Sequence, residues 1–216
     1  MNNSTFRSDA RNPPLFLRVL KCLLSVVGKV TVTGAEHLGS PVGKVIVCNH
    51  VGWMDPLWIG YAVLPRTLHQ MAKKELFDNP ISSWFVRSGG GFPVERGRPS
   101  ASSIKHAVSL VEQGDLVLVF PGGTRSSDNV DAKRGAATIA VRAKGQIVPA
   151  HYDGPDRFRL VHLLRRPVIR ITFGAPLVTT EGTPVGKTAA LQLTAELDGA
   201  MKALASGPTG ERGLVR

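Results

Sequence analysis

Short apolar runs alternate with longer amphipathic segments along this chain, a pattern typical of α/β proteins. Runs with the length and composition of strands cover residues 30–33, 45–48, 116–120, 147–150 and 168–173, and residues 68–72 are a further candidate strand. Helical segments separate most of these runs. We expect an α/β fold with a mixed central sheet flanked by helices. A chain of 216 residues fits one such domain.

The clearest helix is predicted over residues 100–113, where apolar side chains recur at i, i+3, i+4 and i+7 and Gly114 can end the helix. Further helices are predicted to start at Pro56 and to cover residues 136–143 and 189–205. We expect residues 151–167 to form a basic loop.

Residues 15–27 form a strongly apolar segment that Arg18 and Lys21 interrupt. A membrane span needs about 20 apolar residues, so this shorter segment indicates a helix lying in the membrane interface. The alternative is a helix packed on the core. Trp84 and Phe85, in an apolar stretch over residues 81–86, belong either to the core or to a lipid-facing lip. The predicted organisation is a polar arm and interfacial helix over residues 1–29, a folded domain over 30–205 and a disordered tail over 206–216.

The charge balance favours an anionic partner, since 27 lysines and arginines face 16 acidic residues and give a net charge of +11. Aromatic residues are few and are not interleaved with basic ones, which argues against nucleic acid. Cys22 and Cys48 lack the spacing of a metal site, and we expect both to be buried, reduced thiols in a protein that faces the cytosol.

Candidate chemistry begins where the run over residues 45–48 ends. Asn49 and His50 follow that run, and Asp55 with Pro56 indicates a helix start with Asp55 at the N-cap. Chain reversal between strand and helix lets the imidazole of His50 face the carboxylate of Asp55, as a general base and its orienting acid do. The alternative is that Asp55 only caps the helix. Asp55 can fill both roles if one carboxylate oxygen caps the helix and the other orients His50.

Two glycine-containing turns offer sites for an anion. The first runs from Gly91 and Phe92 to Arg96, where glycine permits close backbone approach and the guanidinium suits phosphate. The second follows the run over residues 116–120 and offers backbone N–H groups and a guanidinium; its residues are Gly122, Gly123, Thr124 and Arg125. It lacks the Gly-Lys-Ser/Thr ending of a Walker loop.

Taken together, four motifs in this order resemble those of the glycerophospholipid acyltransferase family, whose bacterial members include the 1-acylglycerol-3-phosphate acyltransferases. The motifs are Asn49-His50 with Asp55, Gly91-Phe92 with Arg96, residues 120–126, and Ile147-Val148-Pro149. The resemblance covers roughly residues 30–205, which would be the acyltransferase domain.

The resemblance implies the glycerol-3-phosphate acyltransferase-like fold and an O-acyltransferase of phospholipid biosynthesis. Such an enzyme moves a fatty acyl group from acyl-CoA or acyl carrier protein to the hydroxyl of a lysophospholipid, here 1-acylglycerol-3-phosphate, giving phosphatidate. His50 would be the general base, oriented by Asp55. The implied substrate-binding residues are Asn49, Gly91, Phe92, Arg96, Gly122, Gly123, Thr124, Arg125 and Pro149. No metal or cofactor is implied, and the expected location is the anionic cytoplasmic face of the cell membrane, peripheral or monotopic.

One position departs from the family pattern. The third motif of the family carries Glu where this chain has Gly122. The resemblance implies that this Glu shapes the acceptor pocket. Two alternatives therefore stand beside phosphatidate synthesis: acyl transfer to another acceptor, such as a lyso-aminolipid or other glycerolipid, and a non-catalytic membrane lipid-binding homologue.

Overall fold

The computed structural model describes residues 15–39, 41–94, 100–121, 126–156, 165–178 and 186–207. Its strands form one seven-stranded sheet in the order β1-β7-β6-β2-β5-β3-β4. The strands are β1 (Lys29–Thr33), β2 (Lys44–Cys48), β3 (Leu68–Lys73), β4 (Gly91–Val94), β5 (Leu116–Val119), β6 (Gln146–Asp153) and β7 (Val168–Phe173). All neighbouring strands are parallel except β6 and β7. The predicted mixed sheet is confirmed.

Helices pack around this sheet: α1 (Leu15–Val27), α2 (Asp55–Val63), α3 (Pro80–Ser88), α4 (Ala101–Glu112), α5 (Ser126–Arg142) and α6 (Lys187–Ser206). Short 3₁₀ turns cover Ala35–Leu38 and Lys74–Phe77. Among the described residues, no helix is long and apolar enough to cross a membrane.

The central strand β2 is buried along its whole length and divides the core into two parts. Successive side chains of a strand point to opposite faces. Val45 and Val47 accordingly pack in one cluster with residues of α4, α5 and α6. Ile46 and Cys48 pack in the other cluster with residues of α1 and α2. A strand covered on both faces is mainly apolar, which explains the uninterrupted apolar run over residues 45–48. The buried Lys44 at the start of β2 donates to the side-chain oxygen of Gln146.

The helix predicted over residues 15–27 is present, and one of its faces packs on the core. Leu24 is buried in the core cluster on the α2 side of the sheet. Leu15, Val19, Leu23 and Val26, in contrast, are exposed. One face of α1 therefore packs on the domain, and the other face remains uncovered.

Several boundaries and one cysteine differ from the predictions. Helix α5 begins at Ser126 rather than near residue 136, and its first turns lack the apolar periodicity that marks a helix in a sequence. Strand β6 extends to Asp153, because its polar second half pairs with β7. Cys48 is buried as expected, but the prediction for Cys22 is wrong, since it lies on the exposed face of α1.

Gly43, which precedes β2, provides a test of this packing. A Cβ atom at this position would lie 1.9 Å from the carbonyl oxygen of Val111, at the end of α4. We expect Gly43→Ala to lower the free energy of unfolding by about 1 to 3 kcal/mol, the usual cost of overpacking, as measured by urea denaturation. The matched control is Gly199→Ala in α6, where a Cβ meets no atom within 4 Å. This control should gain up to about 1 kcal/mol from helix propensity. A Gly43→Ala protein as stable as the wild type would contradict the packing.

Candidate active site

His50 and Asp55 form a hydrogen-bonded pair in the turn between β2 and α2. The Nδ1 atom of His50 lies 3.0 Å from Oδ2 of Asp55. The carboxylate is completely buried, whereas the imidazole side chain is 37% exposed. Because an ionised carboxylate can only accept hydrogen bonds, Nδ1 carries the donated proton in the neutral imidazole. The other nitrogen, Nε2, then holds a lone pair that can take a proton from a substrate.

Asp55 also closes the turn that carries His50. The same Oδ2 atom accepts the backbone N–H of Val51 at 2.6 Å and of Gly52 at 2.8 Å. The prediction that Asp55 caps α2 is wrong, because Met54 occupies the N-cap position and no side chain caps the helix there. The idea of two oxygens with separate roles also fails, since one oxygen serves all three donors. Within the described part of the chain, the buried Oδ1 has no hydrogen-bond partner.

Phe120 is a neighbour of His50 for which the sequence predicted no separate role. Its ring lies 4.6 Å from the imidazole, measured between centroids, at an interplanar angle of 32°. Strands β2 and β5 are parallel and adjacent, with Val47 opposite Val119, so the residues that follow them emerge at the same edge of the sheet. The sequence shows that His50 and Phe120 each follow a predicted strand. Their proximity can be predicted only once the pairing of β2 with β5 is known.

Two predicted substrate-binding residues, Asn49 and Pro149, make hydrogen bonds within the fold. Asn49 donates from Nδ2 to the carbonyl oxygen of Tyr152 at 2.9 Å and accepts the Tyr152 N–H on Oδ1 at 2.7 Å. Pro149 is buried in the middle of the sheet, and its carbonyl oxygen accepts the N–H of Gly174. The described contacts of both residues are therefore structural.

Gly91 and Phe92 also contribute to packing. They begin the edge strand β4, and the Phe92 ring is buried in the core, where it meets the ring of His106 edge-on at 4.9 Å between centroids. A Cβ at Gly91 would lie 2.3 Å from the Val86 side chain. The remaining predicted residues, namely Arg96, Gly122, Gly123, Thr124 and Arg125, lie outside the described residues.

The two strands that precede these segments, β4 and β5, end at the same edge of the sheet as β2. Strands β2, β5, β3 and β4 run parallel to one another, so their carboxyl ends lie at one edge of the sheet. His50 follows β2 at this edge. Val94 ends β4 and Phe120 follows β5 at the same edge. The chain therefore leaves β4 and β5 on the side of the sheet that carries the candidate base.

Two ionisable groups near Asp55, the Cys48 thiol and the Tyr152 phenol, have raised pKa values. Burial raises the pKa of the Cys48 thiol far above its ordinary value, and the nearby Asp55 adds to this shift. Burial likewise raises the pKa of the Tyr152 phenol, again with a contribution from Asp55. Cys48 therefore stays a thiol and does not compete as a nucleophile. In the described ranges, no group of three or more His, Cys, Asp or Glu side chains could hold a metal ion.

The hydrogen-bond geometry predicts the tautomer of His50, which ¹⁵N NMR of the imidazole can measure. We expect the neutral ring to carry its proton on Nδ1. Asp55→Asn should preserve this tautomer, because the single amide oxygen can occupy the Oδ2 position and accept all three N–H groups. Asp55→Ala should lose the preference. A wild-type protein with its proton on Nε2 would contradict the geometry.

Comparison with known proteins assigns the chain to a family. The family model described as Acyltransferase matches residues 29–153, more than half of the chain. The 1-acyl-sn-glycerol-3-phosphate acyltransferase of Bacillus subtilis (strain 168) is 42% identical over 158 residues, which are 73% of this chain and 78% of the relative. The protein of the same name from Streptococcus pneumoniae is 41% identical over 134 residues, 62% of this chain and 49% of the relative.

A solved structure supports the fold independently. The crystal structure of the 1-acyl-sn-glycerophosphate (LPA) acyltransferase from Thermotoga maritima matches with a TM-score of 0.61 at 20% identity, over 88% of this chain and 80% of that chain. At this level of identity the match shows the common architecture. The family model and the bacterial relatives confirm the resemblance to the acyltransferase family. The chain belongs to the acyltransferase family and is an acyltransferase.

Proposed function

We propose that this acyltransferase moves a fatty acyl group from a thioester donor, acyl-CoA or acyl carrier protein, to the hydroxyl of 1-acylglycerol-3-phosphate, which gives phosphatidate. The observation that carries the proposal is the His50–Asp55 pair at the carboxyl edge of the sheet, with its Nε2 lone pair available. The names of the bacterial relatives support the choice of acceptor.

In the proposed mechanism, His50 Nε2 takes the proton of the acceptor hydroxyl as that oxygen attacks the thioester carbonyl. The resulting tetrahedral intermediate collapses, the C–S bond breaks, and the imidazolium returns its proton to the leaving thiolate. Asp55 stabilises the imidazolium through its charge and holds the ring in the productive tautomer. A thioester is already an activated acyl group, so the proposed reaction uses no metal or cofactor.

The acceptor phosphate is assigned to Arg96, Arg125 and the backbone of residues 122–124. This assignment rests on their chemistry, since planar guanidinium groups and successive N–H groups suit phosphate oxygens. It is supported by the emergence of β4 and β5 at the edge that carries His50. Holding the phosphate would determine which hydroxyl meets Nε2. Gly122, in place of the Glu of the family, keeps a lyso-aminolipid as the second candidate acceptor.

A small, mainly apolar cavity of about 40 Å³ lies between α1, α2 and β3, and its lining includes Pro56, next to Asp55. The apolar lining residues include Leu17, Leu20, Leu24, Leu57, Leu64 and Leu68, and Lys21 and Arg66 also line it. This apolar surface suits contact with part of an acyl chain.

The exposed apolar side chains of α1 and α3 support a peripheral or monotopic location on an anionic membrane surface, which we assign to the cytoplasmic face. Phe16 of α1 contacts Trp84 and Phe85 of α3 edge-on, with centroids 5.3 and 5.7 Å apart. Ile81 is 80% exposed and Trp84 60% exposed. Such a continuous apolar surface marks an interaction site, and the exposed Arg18 of α1 can meet anionic headgroups.

Thiol release from an acyl thioester tests the reaction and its base. With lysophosphatidate as acceptor, His50→Ala should reduce turnover by about 10² to 10⁴, the usual contribution of a general base. The matched control is His106→Ala, an exposed histidine on α4, which should keep wild-type turnover. Full activity in His50→Ala would overturn the assigned mechanism.

The same assay with a panel of acceptors separates the alternatives. Greater turnover with a lyso-aminolipid than with lysophosphatidate would identify the second acceptor. Binding to vesicles without thiol release for any acceptor would favour the non-catalytic lipid-binding alternative.

Binding to vesicles of phosphatidylglycerol and phosphatidylcholine tests the membrane surface. Trp84→Glu should weaken binding at least tenfold, because burying a large apolar side chain contributes about 1.5 to 3 kcal/mol. Leu191→Glu makes a comparable apolar-to-acidic change on the exposed face of α6, so it should leave binding near the wild-type value. Equal loss in both variants would show that net charge, rather than the surface of α1 and α3, drives association.

A further inference from the structure

The side chain of Asn49 continues the pairing of β2 with β6 one residue beyond the end of β2. Cys48 lies opposite Ala150, and β2 ends there. The carboxamide of Asn49 then exchanges two hydrogen bonds with the backbone of Tyr152, at 2.9 and 2.7 Å. A primary amide offers the same donor and acceptor as a peptide group. Asn49 therefore holds the chain to β6 at the residue immediately before His50.

Tyr152 in turn holds the segment that follows β6. The residue is 1% exposed, and its hydroxyl donates to the carbonyl oxygen of Pro155 at 3.2 Å. A Cβ at Gly154 would lie 2.5 Å from the phenol oxygen. Residues 154–156 therefore fold back closely over the Tyr152 side chain.

This segment reaches the other side of His50 at Gly52. A Cβ at Gly52 would lie 1.9 Å from the carbonyl oxygen of Asp156, so only glycine permits this approach. Gly52 also donates its N–H to Asp55. The backbone of His50 is thus fixed by Asn49 on one side and by Gly52 on the other. Both fixed points depend on the stretch over residues 152–156.

We infer that Asn49, together with residues 152–156, forms a positioning clamp for His50. Asn49 is a positioning residue that acts through the backbone. Its role rests on the proposed function, in which His50 is the base. The imidazole is partly exposed, so its direction depends on the Asp55 bond, the Phe120 ring and the course of the backbone. A displacement of about 1 Å at a reacting group can cost 10²-fold in rate.

Asn49→Asp tests the clamp with almost no change in side-chain volume. One oxygen can still accept the Tyr152 N–H, but the other would face the Tyr152 carbonyl, which offers no proton. We expect kcat for thiol release to fall about 10- to 100-fold, with less than a twofold change in KM for donor and acceptor. Lowering the pH protonates the introduced carboxyl and restores a donor to the Tyr152 carbonyl. The ratio of variant to wild-type kcat should therefore rise as the pH falls.

The control is Asp198→Asn, which disrupts the pairs of Asp198 with Lys133 and Lys202 far from this turn in sequence. It should lower the melting temperature and leave kcat unchanged. If Asn49→Asp does not fold, Asn49→Ser serves as the test variant instead, because its shorter side chain keeps a hydrogen-bond acceptor. Failure of both to fold would make Asn49 a folding residue and overturn the inference.

The outcome is distinguishable from failure of the proposed function. Wild-type kcat in folded Asn49→Asp, with activity abolished in His50→Ala, overturns the clamp alone. Wild-type activity in His50→Ala overturns the proposed base, whatever Asn49→Asp shows. A kcat loss with unchanged KM and the expected pH dependence supports both.

Discussion

One buried carboxylate oxygen organises the candidate active site. Oδ2 of Asp55 accepts two backbone N–H groups and one imidazole N–H, all from the turn that precedes α2. A charge removed from water is costly unless hydrogen bonds compensate it. The three donors provide that compensation only if the chain reverses tightly between β2 and α2. The tight turn that compensates the buried carboxylate with hydrogen bonds therefore also positions the imidazole of His50.

The sheet places this turn at the carboxyl ends of its parallel strands. Strand β2 lies between β5 and β6, and both run parallel to it, so the carboxyl ends of five strands, namely β6, β2, β5, β3 and β4, share one edge. Strand β6 changes its pairing along its length: its first half pairs with β2 and its second half pairs with β7. Beyond the end of β2, the side chain of Asn49 forms the hydrogen bonds to β6. The pairing of β2 with β6 therefore ends at the residue immediately before His50.

Sequence patterns were sufficient where the cause of structure is local. The run over residues 168–173 became β7 with the same limits, and the four motifs led to the correct family. They were insufficient where the cause is distant. The polar second half of β6 is a strand because β7 lies beside it, and Asn49 bonds the backbone of Tyr152 because β2 and β6 pair. Asp55 resembled a cap because its actual partners precede it in a turn that no periodicity describes.

The contrast between the two cysteines has a practical consequence. Cys48 is sealed in the core, whereas Cys22 is exposed on the outer face of α1 beside Val19 and Leu23. The chain contains no other cysteine. A thiol-directed fluorophore should therefore attach to the native sequence at one place, without engineering. That place lies on the uncovered face of the first described helix, so the label would report directly on the polarity of whatever that face touches.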